Sequence, residues 1–391
     1  MVGSDKNSQN ERRDSTMSDL FEYEVGGKKF VLDARKAKAA FEAKRVINGR
    51  NSPEFNVMPL KYPWAYDIYR DMEANHWLPQ EVPMYDDIQQ WNDDKLLNDR
   101  ERNIIRIGIG YFCSAEGIVG DCAQTIIREN LSAPELKMAV GRHVQEENIH
   151  TESLLYMISS LRINPHEVSA LFLSLPSVAK KNHIITEHMP ELRRELDLTE
   201  TKNKQQFAKM IFGLTQIMEG TQFFGLFLPI LHLMRNGKMP GIGQMFRYTM
   251  RDESNHIELG RRIFLALLEE NPDILTDSFK KELVNFMKAG INAEIDFVDD
   301  LLPQAIAGLS PDEIKRFVRY NANRRLMALG WDPVADDEGK YVLENPFPWS
   351  AEIIYLKKNE NFFETKVTEY GKLSNLQEAK CEEELFEGIE V

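Results

Sequence analysis

The stretch "QEENIHTESLLY", residues 145–156, decides the fold. It contains Glu147-x-x-His150. Residues three apart share one face of an α-helix, so both side chains reach a single ion. Four residues past the histidine, on that same face, stands Leu154, which has no redox chemistry. A single Glu-x-x-His match is weak: with eight histidines in the chain, about one match is expected by chance. Three occur: Glu73…His76, Glu147…His150 and Glu253…His256. The second and third each follow a lone glutamate, Glu116 lying 31 residues before Glu147 and Glu219 lying 34 before Glu253. Both lone glutamates sit in apolar surroundings, "GYFCSAEGIVG" and "GLTQIMEGTQFFG". A carboxylate buried alone is strongly unfavourable unless it is paired or metal-bound. The same unit, a glutamate, a helix-hairpin interval and then Glu-x-x-His, therefore occurs twice, which is the ligand pattern of di-metal four-helix scaffolds. Glu73…His76 has no such upstream partner, runs into Leu78-Pro79, and is read as a chance match.

Outward from these ligands the sequence reads as helix after helix. Segments 97–129, 133–161, 166–180, 203–234, 240–270, 275–304 and 311–329 carry 3.6-residue apolar spacing, as in Ile105, Ile109, Phe112, Ala115 and Val119. Breakers such as "RINPHE" and "NGKMPG" separate them, and no alternating strand series appears. The expected fold is all-α, a helical bundle with the di-metal carboxylate site in its core. Residues 1–50 are polar and weakly patterned; they are expected to be largely disordered apart from a hairpin in "FEYEVGGKKFVLD", where Gly-Gly supplies the turn. The helical domain is placed at 51–350 and a flexible tail at 351–391.

Composition narrows the function. At 391 residues and 42% hydrophobic the protein has ample core. A formal net charge of −14 argues against nonspecific nucleic-acid binding. The longest apolar runs, such as "FFGLFLPILHLM", are too short to span a bilayer, and residues 1–20 lack an apolar leader, so a cytoplasmic protein with no membrane partner is expected. Cys113, Cys122 and Cys381 form no disulfide framework or CxxC site. Four glutamates and two imidazoles suit iron or manganese better than zinc or magnesium. Two divalent ions would balance the four carboxylates and leave the site near neutral. The chemistry implied is activation of oxygen or peroxide.

The sequence also resembles a known family. "KYPWAYDIY", "NHWLPQEVPM", "SAEGIVGD", "EENIHTES", "MEGTQFF", "GIGQMFRYTMRDESNH", "NPFPW" and "NFFETKVTEY" are similar to stretches of the small, radical-generating subunit of class I ribonucleotide reductase, from about residue 57 to the end. The resemblance implies a ferritin-like fold, a homodimer and metal ligands Glu116, Glu147, His150, Glu219, Glu253 and His256, the same six reached from spacing. It implies an oxidoreductase subunit, active only with the large subunit. Its cluster generates and stores the oxidising equivalent that starts reduction of ribonucleotides to the deoxyribonucleotides needed for DNA replication. It further implies a radical relay through Trp77, Asp252 and the tail tyrosine Tyr370, with Tyr248 as a lesser candidate. Asp252 adjoins Glu253 and is placed to accept the second ring N–H of His150.

In most members of that family the position of Leu154 is a tyrosine that stores the radical; in the class Ic subgroup it is phenylalanine, and a manganese–iron cluster holds the oxidising equivalent. Glutamate at the first ligand, Glu116, also resembles that subgroup. Leucine departs from both patterns. Tyr156 lies six residues past His150, about 240° round the helix, and is expected to point elsewhere. The expectation is therefore a manganese–iron pair as the radical store, with Fe/Fe or Mn/Mn as alternatives. Phe212, Phe223 and Phe227 are expected to form a dry shell around it. Residues 371–391 hold six glutamates, two lysines and the apolar Leu385, Phe386, Ile389 and Val391, and are expected to dock on the large subunit. The alternatives are a ferritin-like di-metal oxidase acting on a hydrophobic small molecule, a metal store, and an inactive structural partner.

Overall fold

The computed structural model describes residues 20–49, 56–187, 189 and 196–355. Tyr370, Cys381 and the expected docking tail lie outside them. The described residues fall into two compact units, 20–43 and 44–355.

In the first unit, β1 (Leu20–Val25) pairs antiparallel with β2 (Lys28–Asp33), in a register running from Leu20 opposite Asp33 to Val25 opposite Lys28. Gly26 and Gly27 turn the backbone at φ +60° and +76°, a left-handed conformation that glycine adopts without steric penalty. Asp33 ends β2 and caps α1 (Ala34–Glu42), accepting from the Arg35 backbone N–H at 3.0 Å. Sequence reading anticipated the hairpin but not α1, whose alanine- and lysine-rich stretch lacks a strong apolar stripe.

The second unit is a helical bundle: α2 (Pro63–Ala74), α3 (Tyr85–Trp91), α4 (Asp99–Cys122), α5 (Pro134–Leu161), α6 (Pro165–Ser174), α7 (Pro176–Thr186), α8 (Thr201–Arg235), α9 (Pro240–Glu270), α10 (Asp277–Leu301), α11 (Pro311–Ala328) and α12 (Pro348–Tyr355). The boundaries follow local chemistry. Asn98 and Glu101 form a capping box at the start of α4, and Ser310 and Glu313 do so for α11. Proline occupies the first turn of α5, α6, α7, α9 and α11, where its missing N–H goes unused. The segment expected as one helix over 166–180 is two, because Pro176 removes a backbone donor and starts α7 after an extended Leu175. The short helices α2 and α3 were also not foreseen.

Helices α4, α5, α8 and α9 form the central bundle: α4 packs on α5, α8 on α9, and α5 on α9. Flanking helices complete the core, with α2 against α5, and α10 and α11 against the middle of α8. By length and composition α8 is apolar enough to cross a membrane, contrary to the estimate from its apolar run alone, but its apolar stretch is buried inside the bundle as core.

Two departures from a regular α-bundle bear on the site. Gly213–Gln222 of α8 is π-helical, and α4 runs on into a π-helical Ala123–Arg128. Such segments add a residue per turn and concentrate at functional sites. Arg325 of α11 donates to the Gly220 carbonyl at 3.0 Å, supporting the π segment from outside. The second departure is a buried ion pair, Lys181 of α7 with Glu294 of α10, at 2.6 Å with both side chains fully enclosed. Burial pulls the Lys181 ammonium down to about 8 and pushes the Glu294 carboxyl up to about 7.

Removing one partner of such a pair strands the other charge. Lys181→Met is therefore expected to destabilise the protein by about 3–5 kcal/mol, whereas Lys181→Met combined with Glu294→Leu should restore most of that loss. Denaturant unfolding of the three proteins measures both effects. A double variant no more stable than Lys181→Met would contradict this account.

Candidate metal centre

The six residues singled out by spacing meet in the core of the bundle. Glu116 comes from α4, Glu147 and His150 from α5, Glu219 from the π-helical stretch of α8, and Glu253 and His256 from α9. All are 2% exposed or less. Donor atoms from Glu116, Glu147, His150 and Glu253 lie within 4.8 Å of one another, and so do donor atoms from His143, Glu147, Glu219 and His256. Glu147 belongs to both groups, so these are two adjoining positions joined by a shared carboxylate. His150 Nδ1 is 3.6 Å from Glu116, 3.7 Å from Glu147 and 3.4 Å from Glu253. His256 Nδ1 is 3.0 Å from Glu147 and 3.2 Å from Glu253.

The inward-facing atoms are short of partners. Both oxygens of Glu147 and Glu219, one each of Glu116 and Glu253, and His150 Nδ1 are buried without a hydrogen bond. Buried polar atoms are nearly always satisfied, so a cluster of orphaned carboxylate oxygens facing imidazole nitrogens fits cations between them. The electrostatics agree. Burial, then the neighbouring Glu147 charge, raises the Glu253 carboxyl to about 7. Burial opposes protonation of His150 and His256, yet the carboxylates around them outweigh it and raise both well above the usual imidazole range. Without metal charge the cluster retains protons; divalent ions would replace them. These buried carboxylate and histidine groups are able to hold a di-metal site.

The other ring nitrogens are tied down. His150 Nε2 meets Asp252 Oδ2 at 3.4 Å, and His256 Nε2 meets Glu146 Oε2 at 2.9 Å. Each contact favours the tautomer that leaves Nδ1 free to face the cluster. Burial alone would raise the Asp252 pKa, but the His150 contact, the Arg251 charge and the Trp77 hydrogen bond outweigh it and hold it below the usual range. Trp77 Nε1 donates to Asp252 Oδ2 at 2.7 Å. Tyr248 is half-buried, its ring centroid 5.2 Å from that of Trp77. Trp77, Asp252 and His150 thus form one hydrogen-bonded line ending at the cluster.

Leu154 is buried, at 2% exposure. The Tyr156 hydroxyl donates to the Val82 carbonyl at 3.2 Å. Phe223 and Phe227 join Phe112 and Phe246 in one aromatic group, while Phe212 packs instead on Phe264 and Trp331. Glu73 pairs with Arg142 at 3.1 Å, and His76 also contacts Arg142. The Cys113 and Cys122 thiols are pushed up to about 11 and about 12, burial being the main cause, so neither is a ready thiolate.

Sequence reading missed Glu146 and His143. Nothing in the sequence pattern drew attention to Glu146, which lies beside the ligand Glu147. His143 lies four residues before Glu147, on the same face, but its His-x-x-x-Glu spacing recurs at the exposed His183…Glu187 pair and so did not single it out.

A family model, ribonucleotide reductase small chain, matches residues 54–342. The protein belongs to the ribonucleotide reductase small-chain family. A curated relative, the ribonucleoside-diphosphate reductase subunit beta of Chlamydia pneumoniae, is 35% identical over 88% of this chain and 98% of its own length. The ribonucleoside-diphosphate reductase small chain of Nicotiana tabacum is 29% identical over 83% of this chain and 91% of its own. Among solved structures, the ribonucleotide reductase R2 subunit from Clostridium botulinum superposes with a TM-score of 0.70 at 26% identity, covering 80% of this chain and 94% of that one. The dimanganese(II)-NrdF of Streptococcus sanguinis, at 19% identity and a TM-score of 0.58 over 73% and 96% of the two chains, shares the fold. The ferritin-like reading of the bundle holds. This small chain is an oxidoreductase subunit of a family that works with a large subunit, and the family favours that reading over the small-molecule oxidase.

Glu146 orients His256 without reaching the cluster itself. Glu146→Ala is expected to weaken metal binding about 10–100-fold while leaving helix content unchanged, measured by chelator competition and circular dichroism. Wild-type affinity in that variant would show that His256 needs no such support.

Proposed function

We propose that this small chain generates and holds the oxidising equivalent used by a ribonucleotide reductase large subunit, with ribonucleoside diphosphates, named for its relatives, as the substrates reduced there. The ligands proposed are Glu116, Glu147, His150 and Glu253 at one position, and Glu147, Glu219, Glu253 and His256 at the other. The observation carrying the proposal is the buried line from Trp77 through Asp252 to His150, because a metal store or small-molecule oxidase needs no such wire. When bound, the metal pair supplies one-electron oxidation after activation by oxygen or peroxide. The protein's own residues do the rest. The apolar wall that includes Leu154 and Phe112 excludes water. Asp252, held ionised, fixes the His150 ring and accepts a hydrogen bond from Trp77 Nε1–H, and the negative charge beside the indole lowers the energy of removing an electron from it. Tyr248 packs beside Trp77 as a further step, and Tyr370 in the tail is the proposed link onward.

The absence of a phenol at 154 supports the metal pair as the store, as in the class Ic subgroup. Manganese–iron is the proposed pair, with Fe/Fe and Mn/Mn as the alternatives. Another described tyrosine, Tyr111, is fully buried, but its hydroxyl has no hydrogen-bond partner to take a proton. The Lys181 ammonium also lies 3.6 Å from its ring centroid, and a cation there opposes loss of an electron. Residues 371–391 are proposed to dock on the large subunit, the protein to act as a homodimer, and the setting to be cytoplasmic.

The test is an assay with the cognate large subunit. Trp77→Phe, and separately removal of 371–391, should each retain two metal ions per protomer and lose at least about 100-fold in nucleotide reduction, equivalent to some 2.7 kcal/mol. Full activity in Trp77→Phe would sink the relay. Leu154→Ala tests the store: it should lose about 2–4 kcal/mol of stability and still start turnover. Should Tyr156→Phe abolish the oxidant while metal content stays at two, the radical resides on a tyrosine and the proposal is wrong.

A further inference from the structure

The six ligands reached from sequence leave one inward-facing donor unexplained. His143 lies on α5 one turn before Glu147 and is 2% exposed. Its Nε2 is 3.0 Å from Glu219 and 3.3 Å from Glu147. Its ring stacks on that of His256, with centroids 3.8 Å apart and planes 22° apart. Despite these approaches His143 Nε2 has no hydrogen bond, and neither has either oxygen of Glu219. Three buried polar atoms gathered in one place and left unsatisfied are unfavourable unless something sits among them.

The spacings identify what that is. Two donors bound side by side to one ion at 2.0–2.2 Å stand about 3.0 Å apart. The separations of His143 Nε2 from Glu219 and Glu147, and of His256 Nδ1 from Glu147, fall at or just above that length. His143 also belongs to the group of four residues whose donor atoms lie within 4.8 Å of one another.

We propose that His143 is a seventh metal ligand, bound through Nε2 at the Glu219–His256 position, and that it makes this position select iron over manganese. The inference rests on the metal-centre reading above and deepens it. The Glu116–His150 position offers a single imidazole, whereas the Glu219–His256 position offers two. Imidazole nitrogen suits iron, carboxylate oxygen suits manganese, and intrinsic affinity rises from manganese to iron at any shared donor set. An added neutral nitrogen strengthens that preference at one position only. The protein then has a means of sorting two similar ions into adjacent places. If His143 served merely as a donor that steadies Glu219, it would not discriminate between the metals.

The experiment equilibrates metal-free full-length protein anaerobically with equimolar Fe(II) and Mn(II), removes the excess, and measures both metals per protomer, with affinities from chelator competition. The wild type is compared with His143→Gln, which keeps an N–H to donate to Glu219, and with His143→Ala. Expected are two ions in the wild type, about one of each metal, and in both variants an Fe(II) affinity at least tenfold weaker at one position, with the metal ratio shifted toward manganese. Wild-type ratio and affinity in His143→Gln would overturn the proposal. Iron K-edge absorption of the wild type needs no folded variant: two imidazoles per iron support it and one overturns it. A wild type that holds fewer than two ions would overturn the metal-centre reading itself, a result distinct from an unchanged variant.

Discussion

Four carboxylates face one another in the driest part of this protein, and most of the surrounding structure exists to make that tolerable. Unpaired, such charges would be expelled from an apolar core or would retain protons. The raised Glu253 pKa, near 7, shows the second tendency. Two divalent cations would resolve the conflict by charge balance, and the geometry leaves donor atoms free at two adjoining positions. The rigidity of the bundle follows from the same need. Ligands carried on four long packed helices cannot relax apart to reach water, so binding must satisfy them where they stand.

Around the cluster the protein builds a graded environment. Asp252 and Glu146 hold the far nitrogens of His150 and His256, so that the near nitrogens face inward. Beyond Asp252 lies Trp77, and beyond Trp77 the half-buried Tyr248, a sequence of polarisable groups running from the core toward the surface. Elsewhere in the core Leu154 is buried, and the rings of Phe112, Phe223 and Phe227 pack on one another. Under the proposed function, the hydrogen-bonded line through Asp252 and Trp77 would be the way out for an oxidising equivalent, and a leucine at 154 would then need no redox chemistry of its own.

The doubled glutamate and Glu-x-x-His pattern was enough to identify six residues and the bundle that carries them, because both depend on short-range helical periodicity. Helix α9 was legible to the residue, since Pro240 and the polar turn after Glu270 mark its ends. What was not legible depended on contacts between distant segments. The π-helical Gly213–Gln222, which positions Glu219, leaves no trace in a stretch that is buried on every side. His143 and Glu146 acquire meaning only when α5 is laid against α8 and α9. The Lys181–Glu294 pair joins residues far apart in sequence and breaks the rule that charges stay outside. The division of 166–180 was signalled by Pro176, but an unbroken apolar pattern across it concealed the break.

The central claim is that the orphaned donors hold two metal ions. Anomalous X-ray diffraction from crystals of the metal-loaded protein, recorded at the manganese and iron edges, tests it most directly. The account predicts two peaks about 3.5–4 Å apart, one beside Glu116 and His150 and the other beside Glu219 and His256, with Glu147 between them. A single peak, or density for neither metal among these residues in fully loaded protein, would contradict it.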